Sequence, residues 1–588
     1  MSFPAWSTLV HRARSSASRF PLVLAAGAIA AALGLRMVEG SGDHLIPDLA
    51  AAALGISLSL ALCLTAERLR LAPGSRHLLA AASIPVCLLY LYVCQGVPPT
   101  GVGLRFLQLA LLFHLAVAGL PYAIPGGRRG FWAYNRTLFE RILVAAVYSG
   151  VLFIGLSVAL LASDKLLGLP VPDRTYARLF VLLGFGFNTW FFLAGIPDDL
   201  ASLDADHRYP IGLKVFAQYI LLPLVAVYLT ILTLYLGRVL VTRTWPSGWI
   251  GLLVSSVAVA GTLGLLLIHP VRERPEGRWV DRAARIYHFG MLPALVMALL
   301  AVGKRIAQYG VTEPRYALVV LAGWLLALSA YYLVSGSRSI RLIPLSLGAV
   351  TLVTAIGPWS MSATARRSQQ HRFGDILAAH TLKVGQPLPD SAAAFTPLER
   401  RELRAVIRYL ADAHGAPAVA PLIGAPTDSV AQWLGRRADT ERVFAELGLS
   451  PFEAALPDEV RVASVAGKDG DGIARGFDAL GAQVFLGQEL LTVTRYPVGA
   501  DTLRFEPRRD EAILEVFRHD SVVATFDLAA ALDSLIGLDA GRGAVRPVVL
   551  DAAAAGYLIR LAITGGHKTP GAASPVRSVH GMVSIRPQ

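Results

Sequence analysis

A few ionisable and amide side chains stand where chemistry could be done. Asp198 and Asp199 are adjacent, within Gly-Ile-Pro-Asp-Asp at the end of a long apolar run. Paired carboxylates can bind a cation or share a proton; beside a membrane helix they can equally act as interfacial caps. His114 lies inside another apolar run, where an imidazole is either functional or a packed neutral group. Asn188, followed by Thr189 and Trp190, interrupts a third run. Such groups hydrogen-bond between helices or contact a solute. Glu313 and Arg315 belong to the stretch Tyr309-Gly310-Val311-Thr312-Glu313-Pro314-Arg315-Tyr316, between two further runs. Thr312 can cap a helix that begins at Glu313, Pro314 suits a first turn, and Glu313 meets the positive end of the helix dipole. The sharper reading makes Glu313 and Arg315 a paired polar site at the membrane surface that docks the C-terminal domain onto the membrane bundle.

Recognised catalytic patterns are missing: no Walker loop, dinucleotide glycine fingerprint, His-Glu-x-x-His, Gly-x-Ser-x-Gly or Cys-x-x-Cys. Asp469-Gly470-Asp471-Gly472 resembles the start of a calcium loop. Leu480 stands where that loop needs an acidic twelfth residue, so a turn is expected. Cys63, Cys87 and Cys94 lie in or beside apolar runs without metal-ligand spacing and are expected as small buried hydrophobes. No catalytic residue, metal or cofactor is expected, and an enzyme ranks behind two non-enzymatic classes.

The elements that position these residues are membrane helices. The chain is 54% hydrophobic and 16% charged, where soluble proteins have about a quarter charged. A bilayer core takes about 20 apolar residues per helix. About eleven runs qualify: 20–38, 45–65, 78–94, 102–123, 142–162, 177–196, 215–236, 249–269, 287–303, 316–335 and 343–359. The basic start of the first run resembles a signal peptide, but without a small-residue cleavage site it is expected as an uncleaved helix. The net charge of +13 invites a nucleic-acid reading. Its distribution removes it: about 29 Lys and Arg face about 15 Asp and Glu before Met361, and about 25 face about 26 after it. The excess lies among the apolar runs, as the positive-inside rule requires. With the N-terminus cytoplasmic, the inner loops hold about twice the basic residues of the outer ones. Eleven crossings then place the chain after Trp359 outside. The stretch from Tyr134 to Arg141 and the Trp-bearing basic stretch from Arg272 to Arg285 are expected to anchor in anionic lipid.

After residue 360 the composition changes. A multi-pass bundle of about 10–11 helices over 1–360 is expected, then a water-facing α+β domain over 361–588. That domain is helical over 366–450 and strand-rich over 475–588. Thr396-Pro397-Leu398-Glu399 reads as a capping box opening a helix that runs to His414, with Leu403, Val406, Ile407 and Leu410 on one face. Strands are expected over 490–495, 502–506, 512–518, 522–526, 545–550, 557–564 and 579–585, and a loose segment over 564–575.

The stretch 309–316 and the preceding Lys304-Arg305-Ile306 resemble the bacterial domain of unknown function 4153 family. So do the segment from Tyr134 to Arg141 and Gly357-Pro358-Trp359-Ser360 with Ser368-Gln369. The resemblance covers roughly 134–379, and Thr312-Glu313-Pro314-Arg315 is its most specific part. It implies a multi-pass inner-membrane protein and brings no reaction with it. Two function classes follow: transport or envelope assembly through the bundle, acting on a small or lipid-linked solute, or a non-catalytic membrane-anchored sensor or scaffold whose outer domain binds an envelope partner. Convergence of Asp198, Asp199, His114, Asn188 and Glu313 on one cavity would favour the first; local pairing would favour the second.

Overall fold

The computed structural model describes residues 15–447 apart from 41, 124–127, 206–208, 243–249, 274–276, 336–338, 387–394 and 436–439. Beyond these it describes the strands within 460–587 and residues 528, 530 and 531. The chain divides into two compact units, Met1–Ser450 and Pro451–Gln588. The helices that follow residue 360 therefore pack in the same unit as the bundle.

The secondary structure of the described residues in the first unit is helical. Among the described residues nine helices are long and apolar enough to cross a bilayer. They are α1 (Pro21–Val38), α2 (Ile46–Arg68), α3 (Pro73–Val93), α4 (Pro99–Tyr122), α5 (Gly130–Leu167), α6 (Asp173–Ala194), α7 (Ile211–Thr242), α9 (Arg278–Tyr309) and α10 (Glu313–Ser335). Two shorter apolar helices complete the series, α8 (Gly251–Leu267) and α11 (Leu342–Ala355). Every expected run thus contains one of these helices, although the last, 343–359, is helical only to Ala355. The 14 residues of α11 reach about 21 Å, short of the roughly 30 Å hydrocarbon core. Side chains such as Val147, Val151, Ile154 and Val158 along α5 are exposed, as a lipid-facing surface requires, while Leu54, Leu64, Leu193, Met291 and Leu295 fill the interior.

Close helix approach is built on glycine. A Cβ on Gly34 of α1 would lie 2.8 Å from Val181 Cγ1, and one on Gly27 would lie 3.1 Å from the Phe185 carbonyl. Both neighbours belong to α6, which carries a π-helical segment at Leu182–Phe187; α7 carries another at Phe216–Leu221. Periodicity did not announce either one.

Among the described residues five helices follow the bundle: α12 (Met361–Ala379), α13 (Pro397–His414), α14 (Ala416–Ile423), α15 (Thr427–Leu434) and α16 (Glu441–Glu446). Both bonds of the Thr396–Glu399 capping box form, and α13 stops at Gly415, whose φ of +72° suits glycine. Leu403, Val406, Ile407 and Leu410 are buried, in a core shared with Phe373, Val419 and Phe444.

The second unit is antiparallel β-structure. β1 (Val460–Val462), β8 (Tyr557–Lys568), β9 (Val576–Pro587) and β2 (Gln483–Glu489) lie in that order, with β7 (Val548–Ala554) also on β8. A separate meander joins β3 (Thr494–Val498), β4 (Asp501–Arg508), β5 (Ile513–Arg518) and β6 (Ser521–Asp527). Leu503 and Phe505, Leu514 and Val516, and Ala524 and Phe526 are buried at every second position. One expectation fails: residues 564–568 are not loose but extend β8, paired with β9. Backbone pairing outweighs the local glycine content there. The Asp469–Gly472 turn lies outside the described residues.

Candidate functional site

Segments far apart in sequence meet around 309–316. Gly310 ends α9 with φ +70°, and a Cβ there would lie 2.7 Å from Gln369 Nε2. The Gln369 amide donates to the carbonyls of Tyr309 (2.9 Å) and Val311 (3.0 Å), and the Val311 N–H donates to Ser368 Oγ (2.9 Å). Arg315 donates to the carbonyls of Gly310 (2.7 Å) and Tyr309 (3.2 Å). The Tyr316 hydroxyl donates to the Trp359 carbonyl at 2.7 Å. One polar lattice thus ties the loop to the start of α12, satisfying backbone groups that a helix end leaves open.

Glu313 is only 3% exposed. The Tyr409 hydroxyl donates to Oε2, and His414 Nε2 lies 3.1 Å from Oε1. The His414 contact has the distance of an ion pair without the alignment of a hydrogen bond. Burial, then the neighbouring Glu313 carboxylate, pushes the Tyr409 hydroxyl far above its ordinary pKa, so it remains a donor. His414 Nδ1 lies 3.5 Å from Ser362 Oγ, which is 3.5 Å from Arg105 Nη2 at the start of α4. Backbone contact closes the same junction: a Cβ on Gly101 would lie 2.0 Å from the Ala413 carbonyl oxygen. Glu313 and Arg315 are neighbours with different partners, Arg315 holding its own loop and Glu313 reaching α13.

The other candidate residues lie elsewhere. Asp198 and Asp199 are at the opposite end of the bundle, where Arg19 grips Glu67 through two bonds of 2.7 and 2.8 Å. Arg19 also donates to the carbonyls of Ile196 and Pro197 and approaches Asp198 at 3.4 Å. Asp199 accepts from the Ala201 N–H at 2.8 Å, a local cap. Arg68 pairs with Asp204 at 2.6 Å beside a cavity of about 440 Å³. Asn188 accepts from Ser149 Oγ at 3.2 Å, linking α6 to α5. His114 is exposed on the outer surface of α4, its Nδ1 2.7 Å from the Ala110 carbonyl. Asp198 and Asp199 both line the cavity beside Arg68, whereas Asn188, His114 and Glu313 do not.

Tyr134 and Arg136 are buried, against the expectation of lipid anchoring. The Tyr134 hydroxyl donates to the Val117 carbonyl at 2.7 Å, and the Arg136 guanidinium stacks over Trp132. Aromatic and basic residues at a helix start look interfacial in one dimension; here neighbouring helices cover them. Tyr409 and His414 were missed because nothing local marks them as partners of a residue on α10. Cys63 and Cys94 are buried and all three cysteines are free thiols.

The chain matches the family described as Domain of unknown function (DUF4153) over residues 18–384. It is also 23% identical over 274 residues to the uncharacterized protein PM1469 of Pasteurella multocida (strain Pm70), covering 46% of this chain and 45% of that protein. The chain thus spans less than half the length of that relative. No solved structure matches.

Proposed function

The chain belongs to this DUF4153 family, and from that premise we propose that it is a non-catalytic, membrane-anchored platform of the cell envelope. In this reading the bundle fixes the helical layer α12–α16 at one membrane face, where that layer receives a protein partner. The supporting observation is the buried Glu313 on α10, bonded to the Tyr409 hydroxyl and 3.1 Å from His414 of α13. A polar path for a solute would gather Asp198, Asp199, His114, Asn188 and Glu313 in one cavity. They instead pair locally at separate places, which weighs against transport.

The proposed side of the membrane follows from charge. Arg19, Arg68 and Arg76 lie around the carboxylates of Glu67 and Asp204 at one end of the bundle, which we place in the cytoplasm of an inner membrane. Nine or eleven crossings, both odd, then put α12–α16 outside.

Leu398, 59% exposed on α13, is a suitable position for a photo-cross-linking residue. The platform reading expects a discrete protein adduct from full-length protein in native membranes, and no protein-dependent ion or solute flux in proteoliposomes. A flux abolished by Asp198→Asn or Glu313→Gln would refute it.

A further inference from the structure

A polar chamber and an apolar groove adjoin where α8, α9 and α10 end, on the Arg-rich side. The chamber is about 380 Å³ and is lined by Arg272, Asp281, Arg285, His288 and Tyr332 among others. The groove is about 590 Å³, between α7 and α9, lined by Leu229, Leu234, Phe289 and Gly290 among others. Arg285 and Leu333 line both cavities. Asp281, the one carboxylate among the described lining residues, is held by Arg272 Nε at 2.8 Å. Arg285 has no ion-pair partner among the described residues. It is exposed on the outer surface of α9, seven residues past Arg278, or about 10 Å along the axis. A guanidinium at a bilayer boundary requires an anion or water, and its planar fork suits phosphate oxygens.

We propose that this place binds one anionic phospholipid, its phosphate on Arg285, its headgroup against the chamber and one acyl chain in the α7–α9 groove. The size and sign of the two cavities match the two halves of such a molecule. The arginine supplies charge where the groove ends; the Tyr332 hydroxyl, which donates to the Ser339 carbonyl at 2.7 Å, can accept from a headgroup hydroxyl, and the His288 imidazole also faces the chamber. His288 Nδ1 is already 3.2 Å from Ser329 Oγ, which orients the ring. The site is independent of the docking at Glu313, so failure of either leaves the other standing.

The test is native mass spectrometry of the full-length protein, released from nanodiscs of equal phosphatidylglycerol and phosphatidylcholine. Wild-type protein should retain phosphatidylglycerol at least fivefold over phosphatidylcholine. Arg285→Ala should remove that preference, Arg285→Lys should keep part of it, and Lys304→Ala, at the opposite end of α9, should leave it intact. Ala226→Phe, which fills the groove from an exposed position, should reduce retention of both lipids. Equal retention by wild-type protein, or unchanged preference in Arg285→Ala, would overturn the proposal. So would displacement of the lipid by an equal concentration of glycerol 3-phosphate, since the groove would then contribute nothing. Loss of preference in Lys304→Ala would also overturn it, by showing a general charge effect.

Discussion

Replacing Glu313 by Ala should loosen the junction of α10 and α13. The carboxylate is 3% exposed, and the side chains of Glu313 and His414 are 3% and 4% exposed. Its loss takes the acceptor from the Tyr409 hydroxyl and the polar neighbour at 3.1 Å from the His414 ring. Two buried polar groups left unpaired cost about 1–3 kcal/mol each. Together they cost about 2–6 kcal/mol, equivalent to roughly one and a half to four decades in an opening equilibrium. Hydrogen–deuterium exchange of full-length protein in lipid nanodiscs reads this directly. Amides of 409–418 and 310–316 should exchange at least about thirtyfold faster in Glu313→Ala, with those of α2 unchanged. Glu313→Gln keeps an acceptor for Tyr409 and should cost less, about 1–2 kcal/mol. If Glu313→Ala exchanges at the wild-type rate at both segments, the buried contacts do not hold the junction and only the helix-start role of Glu313 is left.

Other substitutions probe the same architecture. Gly101→Val should lower stability by about 1–3 kcal/mol, because its Cβ would meet the fixed Ala413 carbonyl at 2.0 Å. Gly103→Val, whose Cβ meets nothing within 4 Å, should be near neutral in the same thermal assay. Arg19→Ala should cost about 3–5 kcal/mol, since it leaves the Glu67 carboxylate buried without its fork; Arg19→Lys should restore only part, because an ammonium cannot reproduce both bonds. The Glu399 carboxyl is held down to about 2, first by the Thr396 backbone N–H, then by the Thr396 hydroxyl and His380. A depressed carboxyl contributes fully above its unfolded value near 4.5, and the contribution disappears as pH falls through about 2. The carbon-13 carboxyl signal of Glu399 should therefore titrate near 2; a midpoint near 4.5 would show that the capping box does not form in solution.

Much of the fold was legible because its signals are local. Apolar runs of membrane length, the Thr396–Glu399 box, the Leu403–Leu410 stripe and the alternating strands each need only nearby residues to be recognised. The loop 309–316 was also legible as a boundary, from Gly310, Pro314 and the helix-start position of Glu313. The partners were not. Tyr409 lies 96 residues from Glu313, and no periodicity links two such positions. The π-helical segments at Leu182–Phe187 and Phe216–Leu221 add one residue per turn without a change of composition. Burial of Tyr134 and Arg136 depends on which helices surround α5, which a one-dimensional pattern leaves open. The Arg285 chamber escaped because α9 begins at Arg278, before the apolar run itself, turning a supposed loop into helix.

The central claim is that Glu313 and Tyr409 hold the bundle and α13 together as one platform. A double-mutant cycle with Glu313→Ala, Tyr409→Phe and the double variant, read by hydrogen exchange at 409–418 in nanodiscs, measures that bond itself. A hydrogen bond to a charged group predicts a coupling of about 1.5–3 kcal/mol. Additivity within about 0.5 kcal/mol would contradict it, because residues in direct contact do not add.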